Sequence, residues 1–380
     1  MEKLLETTFN SLPKDIIFDI FSRIPLKFLY QFQCVCKKWQ FLLDLNPEFR
    51  AFYHQKHKIS PILLFTKQNN DQFSTQLSSY FIDGTKLHQF STIFPQLFTS
   101  ILSCNAILCL ISKPEILLYD PIIKRVSNLP NSSNFSSNSS WAFGFSPFRN
   151  NFKVLHFYTI ETFDNFHYCQ VKEVMCEIIT CKSSQLGLNS HEKNWRFIGK
   201  CPYNILSRKK YAYVCGKIYW LILEKKFNPN CVKIMSFNLE IEIFGIIYFP
   251  KTYSNRSIEC LELIEIKNKL CLIDRLPWES SMNVWMMMNE ENGFTNLWVK
   301  KYEIDLMGIV HHDVRILGHL GKIDYNNCDD YESDGEILMK IGEQSLGLYE
   351  FESEVFKELG DRIKMHGWNL QFMIDRKLLL

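Results

Sequence analysis

Residues 12–54 have the sequence LPKDIIFDIFSRIPLKFLYQFQCVCKKWQFLLDLNPEFRAFYH, and their apolar side chains recur at helical spacing. The first apolar stripe contains Ile16, Ile17, Ile20, Phe21 and Ile24. Pro13 suits the first turn of a helix, where its missing N–H group has no partner in any case. Pro25 ends this helix, because proline disfavours helical geometry in the residue before it. The second stripe contains Leu26, Leu29, Phe32, Val35, Trp39, Leu42 and Leu43. A break at Asn46-Pro47 then leads into a third short stretch, so the segment predicts three short helices.

This helical segment is too small to bury all of its apolar side chains internally. About 45 residues cannot bury enough area to fold firmly alone. The large side chains that three short helices leave uncovered must therefore contact something else. Two alternatives follow: the helices form a cap on the rest of the chain, or they dock on another protein.

From residue 59 onward the helical spacing fades and short apolar runs replace it. Each run has four to seven residues and is bounded by polar or turn residues, which is typical of β-strands. The runs are PILLF, AILCLI, EILLYD, FKVLHF, KIYWLIL, KIMSF, KLCLI, NVWMMM, EILMKI and LGLYEF. So many short strands predict an all-β sandwich, barrel or propeller.

A repeated pattern within these runs favours the propeller. Pairs of strands that follow Gly or Asn recur from residues 104, 215, 268 and 334. Together with residues 141–199 they give five clear units, and residues 60–100 suggest a sixth. Such a unit has two apolar faces and buries them only by stacking on its neighbours. We expect five tryptophans to pack between sheets, with an aromatic-lined ligand groove as the alternative: Trp141, Trp195, Trp220, Trp285 and Trp298.

Composition and charge exclude several classes of protein. The chain has 380 residues and a formal net charge of +2, which gives no electrostatic case for nucleic-acid binding. No leader or membrane-spanning apolar stretch is visible, so we expect a cytoplasmic or nuclear protein without a membrane partner. The 13 cysteines include no C-x-x-C pair, and Cys34-x-Cys36 is too closely spaced for the usual zinc site. We therefore expect neither a metal nor a cofactor.

Residues that resemble catalytic or metal-binding groups are better explained as solvent-exposed loops and turns. His311-His312-Asp313 has no Cys or Glu at ligand spacing and is interpreted as a solvated loop. The acidic residues 329–334 do not have the spacing of a calcium-binding loop, so an exposed turn is expected. The Ser/Asn tract at residues 131–140 is interpreted as a loop. No nucleophile elbow, phosphate loop or zinc-protease motif occurs.

The helical segment resembles an F-box in its plant form. The matching pieces, in order, are Leu12-Pro13, Asp15-Ile16-Ile17, Arg23-Ile24-Pro25-Leu26-Lys27, Cys34-Val35-Cys36-Lys37-Lys38-Trp39, Pro47-Glu48-Phe49 and His54. One departure is Gln31-Phe32-Gln33, where the family often has a basic residue. The resemblance implies a three-helix F-box domain over residues 6–55.

The β-rich remainder resembles the plant F-box-associated domain, which is itself kelch-like. The matching pieces are residues 116–130, 141–157, 194–199, 215–222, 234–250, 269–275, 284–304 and 335–340, in the family's order. Residues 60–100, 307–332 and 362–380 match little. The expected fold class is thus α+β multidomain, with a small F-box followed by an all-β, propeller-like (kelch-type) repeat domain over residues 60–380.

These resemblances imply a non-catalytic adaptor of a Skp–cullin–F-box ubiquitin ligase. The F-box would bind a Skp-type adaptor, and through it a cullin scaffold, while the β domain holds a target protein. The predicted Skp-binding residues are Leu12, Pro13, Ile16, Ile20, Pro25, Leu26, Val35 and Trp39. The alternative is a stand-alone β-propeller enzyme or carbohydrate-binding module with a helical cap, which would need convergent polar residues in a central pocket.

Target recognition is expected on the loops that join the strands, since loops on a rigid scaffold often contain functional residues. These loops are residues 127–140, 161–168, 183–194, 224–230, 276–283 and 324–334, and we expect several to cluster on one face. Their aromatic residues beside charged ones are candidate target contacts: Phe163, Phe166 and Trp278. The alternative is that these aromatic side chains pack back into the sheets.

Overall fold

The structure of the chain is a computed structural model. It describes residues 13–24, 29, 32, 35–36, 39, 49, 62–69, 73–83, 86–105, 107–121, 124–136, 139–164, 169–182, 194–203, 205, 211–223, 232–248, 257–275, 281–289, 296–306, 314–320, 336–342, 345–351, 353–358 and 369–374. In these ranges no helix is long and apolar enough to cross a membrane.

The first predicted helix is present as α1 (Lys14–Ser22), directly after Pro13. Its end is marked by Arg23, whose guanidinium Nη2 lies 2.7 Å from Asp19 Oδ2 one turn earlier. Leu29, Phe32, Trp39 and Phe49 also have helical backbone, but the bounds of the second and third predicted helices lie outside the described residues. The three-helix prediction is therefore supported for its first helix only.

The rest of the described chain forms six four-stranded antiparallel sheets, which we call blades 1 to 6. Blade 1 contains β1 (Ile62–Asn69), β2 (Ser74–Asp83), β3 (Lys86–Phe94) and the C-terminal strand β24 (Asn369–Ile374). Blade 2 contains β4 (Ser100–Cys104), β5 (Ile107–Ile111), β6 (Ile116–Asp120) and β7 (Arg125–Leu129). Blade 3 contains β8 (Ser140–Ser146), β9 (Asn151–Asp164), β10 (Cys169–Lys182) and β11 (Arg196–Lys200).

The second half of the chain repeats this arrangement. Blade 4 contains β12 (Ala212–Val214), β13 (Lys217–Leu223), β14 (Val232–Asn238) and β15 (Ile243–Ile247). A 3₁₀ turn (Ile258–Cys260) leads into blade 5, with β16 (Leu261–Ile266), β17 (Lys269–Asp274), β18 (Ser281–Asn289) and β19 (Asn296–Asp305). Blade 6 contains β20 (Val314–Leu320), β21 (Glu336–Ile341), β22 (Ser345–Glu350) and β23 (Val355–Glu358).

The blades form a closed six-bladed propeller, which settles the choice between five and six units. The first strands of neighbouring blades contact one another, as β4 contacts β8 and β16 contacts β20. The C-terminal strand β24 contacts both β20 and β4, and it pairs antiparallel with β1. Blade 1 is thus completed by the two ends of the β domain, and this pairing closes the ring.

Strand order gives the propeller two distinct faces. On one face the first strand of each blade ends and the second begins; we call it the Phe148 face, after the β8–β9 turn. Its first-to-second turns contain residues with left-handed backbone at corresponding positions, at Asn105, Asn150, Cys215 and Asn268. Left-handed residues suit the tight turns that match the twist of antiparallel strands. The second-to-third turns lie on the opposite face.

Apolar side chains pack between blades, as predicted. Trp141, Trp220 and Trp298 are buried, and each belongs to an apolar cluster that two neighbouring blades share. Trp195 and Trp285 are half-buried against such clusters. The indole of Trp195 donates to the Pro130 carbonyl oxygen (2.8 Å), and that of Trp298 to the Tyr248 carbonyl oxygen (3.0 Å).

These two hydrogen bonds are equivalent in the two halves of the propeller. In each case the indole lies at the fourth strand of one blade, and the carbonyl follows the fourth strand of the preceding blade. The predicted structural role of these tryptophans is confirmed at both positions.

Candidate functional site

The helical unit, meaning α1 with the described residues up to Phe49, has one buried and one exposed apolar side. Ile17, Phe18 and Phe21 of α1 are buried with Leu29 and Phe49. Ile16 and Ile20, one helical turn apart, are 47% and 38% exposed. Exposed apolar side chains that lie next to each other mark candidate partner surfaces.

Aromatic contacts hold the buried side together. The rings of Phe21 and Trp39 meet edge to face with centroids 5.0 Å apart, and Phe18 and Phe49 meet at 5.3 Å. Trp39, predicted as a partner contact, is half-buried and packs mainly against Phe21 and Phe32. Trp39 therefore supports the packing of the helical unit rather than standing fully exposed on its surface.

The other predicted Skp-binding residues divide into two groups. Pro13, directly before α1, is exposed, and Val35 is 61% exposed. Leu12, Pro25 and Leu26 lie outside the described residues. The assignment of all eight residues to a Skp interface stays a prediction.

The predicted target contacts receive little support. Phe163 belongs to strand β9, paired with Gln170, so residues 161–164 are strand rather than loop. The same correction applies to residues 127–129 of β7 and 281–283 of β18. Phe166 and Trp278 lie outside the described residues. Strand order places the flanking strand ends of four predicted loops, 127–140, 161–168, 224–230 and 276–283, on the face opposite the Phe148 face. Those of 183–194 and 324–334 lie on the Phe148 face, so several of the predicted loops do share one face, as expected.

A cluster of polar side chains that the sequence did not predict lies beside blade 3. Its members are Ser132, Asn134, Ser139, His156 and Glu177, and we call it the His156 cluster. His156 Nδ1 lies 2.8 Å from Glu177 Oε1, and its Nε2 lies 2.8 Å from Ser139 Oγ. Ser132 Oγ donates to Glu177 Oε1 at 2.5 Å, and Asn134 Nδ2 donates to Glu177 Oε2 at 3.2 Å.

The carboxylate of this cluster is held in its charged form. Burial raises the pKa of Glu177, but hydrogen bonds from His156 and Ser132 lower it by more, so its pKa lies below the usual value. The imidazole of His156 stacks on Trp141, with ring centroids 3.9 Å apart. The stacked indole and the hydrogen bonds at both ring nitrogens therefore hold the imidazole in one orientation.

The order Ser139, His156, Glu177 resembles a nucleophile, a base and the group that orients the base. The imidazole is 0% exposed, however, so a dissolved substrate cannot reach it in this conformation. Ser139 Oγ also accepts the backbone N–H of Ser136 at 3.0 Å. The cluster thus anchors the Ser/Asn tract between β7 and β8 onto blade 3. Only the tertiary structure reveals this, since nothing in the sequence pairs residues 132 and 177.

A second polar group ties blade 3 to blade 4. Lys153 is 1% exposed, and its ammonium contacts Glu242 Oε1 at 2.6 Å and the Leu239 carbonyl oxygen. Arg196 donates to both carboxylate oxygens of Glu242, at 2.8 and 2.6 Å. Burial raises the pKa of Glu242, but its hydrogen bonds from Lys153 and Arg196 outweigh burial and keep that pKa low.

Metal binding has no support in the described ranges. There, no group of three or more His, Cys, Asp and Glu side chains could hold a metal ion. The apolar runs around Cys104, Cys109, Cys215 and Cys271 predict that these cysteines are small buried apolar side chains. Cys104, Cys109 and Cys271 are buried, but the prediction is wrong for Cys215, which is exposed at the turn between β12 and β13.

Comparison with known families identifies both parts of the chain. The F-box associated beta propeller domain matches residues 52–320, and the F-box domain matches residues 9–50. The chain belongs to the F-box associated beta propeller family. Its helical unit is the F-box of this protein, and its propeller is the F-box-associated domain.

Individual relatives agree with the family. F-box protein At3g07870 of Arabidopsis thaliana is 27% identical over 319 residues, which span 78% of this chain and 73% of that protein. A second Arabidopsis F-box protein, At5g50220, is 26% identical over 301 residues, spanning 78% and 71%. A solved structure of a DUF4784 family protein from Bacteroides caccae is 7% identical, with a TM-score of 0.42 over 82% of this chain and 73% of its own. The two domains together support the general role of an F-box substrate adaptor in the ubiquitin ligase pathway.

Proposed function

We propose that this F-box protein is a substrate-recognition adaptor of a Skp–cullin–F-box ubiquitin ligase. The F-box binds a Skp-type adaptor, which links the chain to a cullin, and the propeller holds a target protein in the cytoplasm or nucleus. The chain itself performs no chemical step. It accelerates transfer by proximity, because a tethered target has a high effective concentration near the ligase machinery.

The observation that supports adaptor binding is the exposed apolar side of the F-box. Ile16 and Ile20 of α1 are exposed, while Phe18 and Phe21 of the same helix are buried among other aromatic rings. A packed core under exposed apolar side chains holds those side chains in place before a partner binds. Preorganisation of this kind lowers the entropic cost of association.

The rival function, a propeller enzyme or carbohydrate-binding module, is less well supported. Its requirement is a set of polar groups that converge on an open pocket. The His156 cluster is the described set that most resembles one, yet His156 and Glu177 lie on the second and third strands of blade 3 and are buried. The first strands of the blades, which face the propeller axis, do not contain these two residues.

Reversing the polarity of the exposed F-box surface tests the proposal. The double variant Ile16→Lys, Ile20→Lys should lose co-purification with a Skp-type adaptor, because buried interface anchors are each worth about 2 kcal/mol or more. Both side chains are exposed, so the fold should persist, with the thermal melting curve as the check. The matched control is Ile93→Lys, which places the same substitution at an isoleucine that is 66% exposed on β3.

The control variant should bind the adaptor as well as the unmodified chain does. Undiminished capture by the double variant would contradict the proposal. Equal loss of capture by the double variant and by Ile93→Lys would contradict it as well, because the effect would then not be specific to the F-box.

A further inference from the structure

Turns from three consecutive blades meet at one corner of the Phe148 face. We call this surface the Phe148 corner and define it as residues 147–153, 196, 215–217, 239–242 and 265–269. Pro147 packs against Gly216, and the Gly216 carbonyl accepts the Leu239 N–H at 2.9 Å. Cys215 Sγ lies 3.6 Å from the Asn268 carbonyl oxygen. The turns of blades 3, 4 and 5 therefore form one continuous surface.

Two large apolar side chains project from this corner. Phe148 is 93% exposed and Ile241 is 64% exposed. They lie on adjacent turns, since the Phe148 N–H donates to Glu240 Oε1 at 3.0 Å and Glu240 precedes Ile241. An almost fully exposed phenylalanine contributes nothing to the core of the blade, so its position calls for a role at the surface.

The turns that present these side chains are held rigidly. Glu240 accepts the Phe148 N–H, and its other carboxylate oxygen lies 3.9 Å from Arg149 Nε. Glu242, on the same turn, is held by the buried Lys153 and by Arg196. The turns that contain Phe148 and Ile241 are thus held in one conformation before a partner binds, which lowers the entropic cost of binding.

The corner has an excess of basic side chains, whereas the whole chain of 380 residues is close to neutral, with a net charge of +2. The corner contains six basic and three acidic side chains, but Lys153 is buried, and both Lys153 and Arg196 contact Glu242. The remaining basic side chains outnumber the remaining acidic ones by two: Arg149, Lys217, Lys267 and Lys269 against Glu240 and Glu265. All three carboxylates accept hydrogen bonds from within the corner: Glu240 from the Phe148 N–H, Glu242 from Lys153, and Glu265 from the Asn268 N–H. Arg149 and Lys217 are exposed at the rim.

We propose that the Phe148 corner binds the target protein through an acidic segment that contains a large apolar anchor. The anchor packs on Phe148 and Ile241, and the acidic side chains face Arg149 and Lys217. Charge complementarity selects the segment and speeds the encounter, while the apolar contact supplies most of the affinity. This inference rests on the proposed adaptor function and gives a chemical class to its unidentified target.

A library of short random peptides displayed on phage, panned against the full-length chain, tests the proposal. The enriched peptides should contain an excess of Asp and Glu together with Leu, Phe or another large apolar residue. Their affinity should fall about tenfold for Phe148→Ala and for Lys217→Glu, the scale of a hot-spot residue. Added salt should weaken binding, because the rim charges are exposed.

The opposite face supplies the matched control. Phe73, on the β1–β2 turn, is 70% exposed, so Phe73→Ala removes another exposed phenylalanine ring from the other face. It should leave the affinity of the enriched peptides within about twofold of the unmodified value. Every variant should still capture the Skp-type adaptor, which separates failure of this inference from failure of the adaptor function.

Three results would overturn the proposal. The first is enrichment of peptides without acidic excess. The second is equal binding by Phe148→Ala and Phe73→Ala. The third is loss of adaptor capture in Phe148→Ala, which would place the corner in the adaptor interface instead.

Discussion

The buried ammonium of Lys153 gives the sharpest test of how blades 3 and 4 are joined. Lys153→Met keeps an unbranched side chain that is shorter only by the terminal ammonium, and it removes the charge. Leu239 is 0% exposed, and its carbonyl oxygen then loses the hydrogen bond from Lys153. Glu242 loses one of its two cationic partners and keeps Arg196.

The cost follows from these two losses. A buried acceptor without a donor costs about 1–3 kcal/mol, and removing one partner of a buried ion pair costs about 3–5 kcal/mol. The second figure is an upper bound here, because Arg196 still neutralises Glu242 and the Glu242 side chain is 16% exposed. We expect Lys153→Met to lower the free energy of unfolding by about 3 kcal/mol.

Urea unfolding followed by tryptophan fluorescence measures this change. The control is Lys217→Met, which removes an exposed lysine from the neighbouring blade and should change stability by less than about 0.5 kcal/mol. In a Glu242→Gln background the ion pair is already absent, so Lys153→Met should cost less there than in the unmodified chain. A loss below about 1 kcal/mol for Lys153→Met would refute the reasoning, since it falls below the buried-acceptor cost.

The pH dependence has a defined sign. The pKa of Glu242 is lower in the folded state than in the unfolded chain, where it is about 4.3. Its contribution to stability is therefore complete above that value and is lost as the pH falls through the folded-state pKa. The stability difference between the unmodified chain and Lys153→Met should shrink below about pH 4. A constant difference down to acid unfolding would show that the carboxylate is not involved.

Two further predictions concern the ring. Trp195→Phe and Trp298→Phe each remove an interblade hydrogen bond and part of a packed ring, so each should cost about 2 kcal/mol in urea unfolding. A negligible effect at both positions would show that these bonds do not join the blades. Deleting residues 369–380 removes β24 and leaves β1 as an open edge, so the truncated chain should aggregate or lose soluble expression. An unchanged melting transition after this deletion would show that closure by β24 is not needed.

The strands could be predicted because their signal is local. Runs such as AILCLI and KLCLI became β5 and β17, whose side chains are almost all buried. A second strand enclosed by neighbours on both faces must be apolar throughout, which explains why these runs lack a polar alternate position. The repeated tryptophans were interpretable for a similar reason, since equivalent blades need equivalent packing.

The polar groups could not be predicted, because each depends on contacts between distant residues. His156 and Glu177 are twenty-one positions apart and face each other only because β9 and β10 pair in one register. Lys153 meets Glu242 across two blades. The sequence SPFRNN does not predict the exposure of Phe148, because a phenylalanine in it suits a buried turn as well as an exposed one. The sequence contains these residues but not the geometry that gives them a role.

The C-terminal strand shows where the limit of local reasoning lies. Residues 369–374, NLQFMI, match the family pattern poorly and look no stronger than other short apolar runs. Their partner is β1, more than three hundred positions earlier, and the pairing exists only because six blades bring the two ends together. A strand this distant gains its hydrogen bonds only after the other blades have stacked, because the loop entropy must be offset first. Closure of the ring by β24 therefore depends on there being six blades. The short apolar runs in the sequence do not decide between five blades and six.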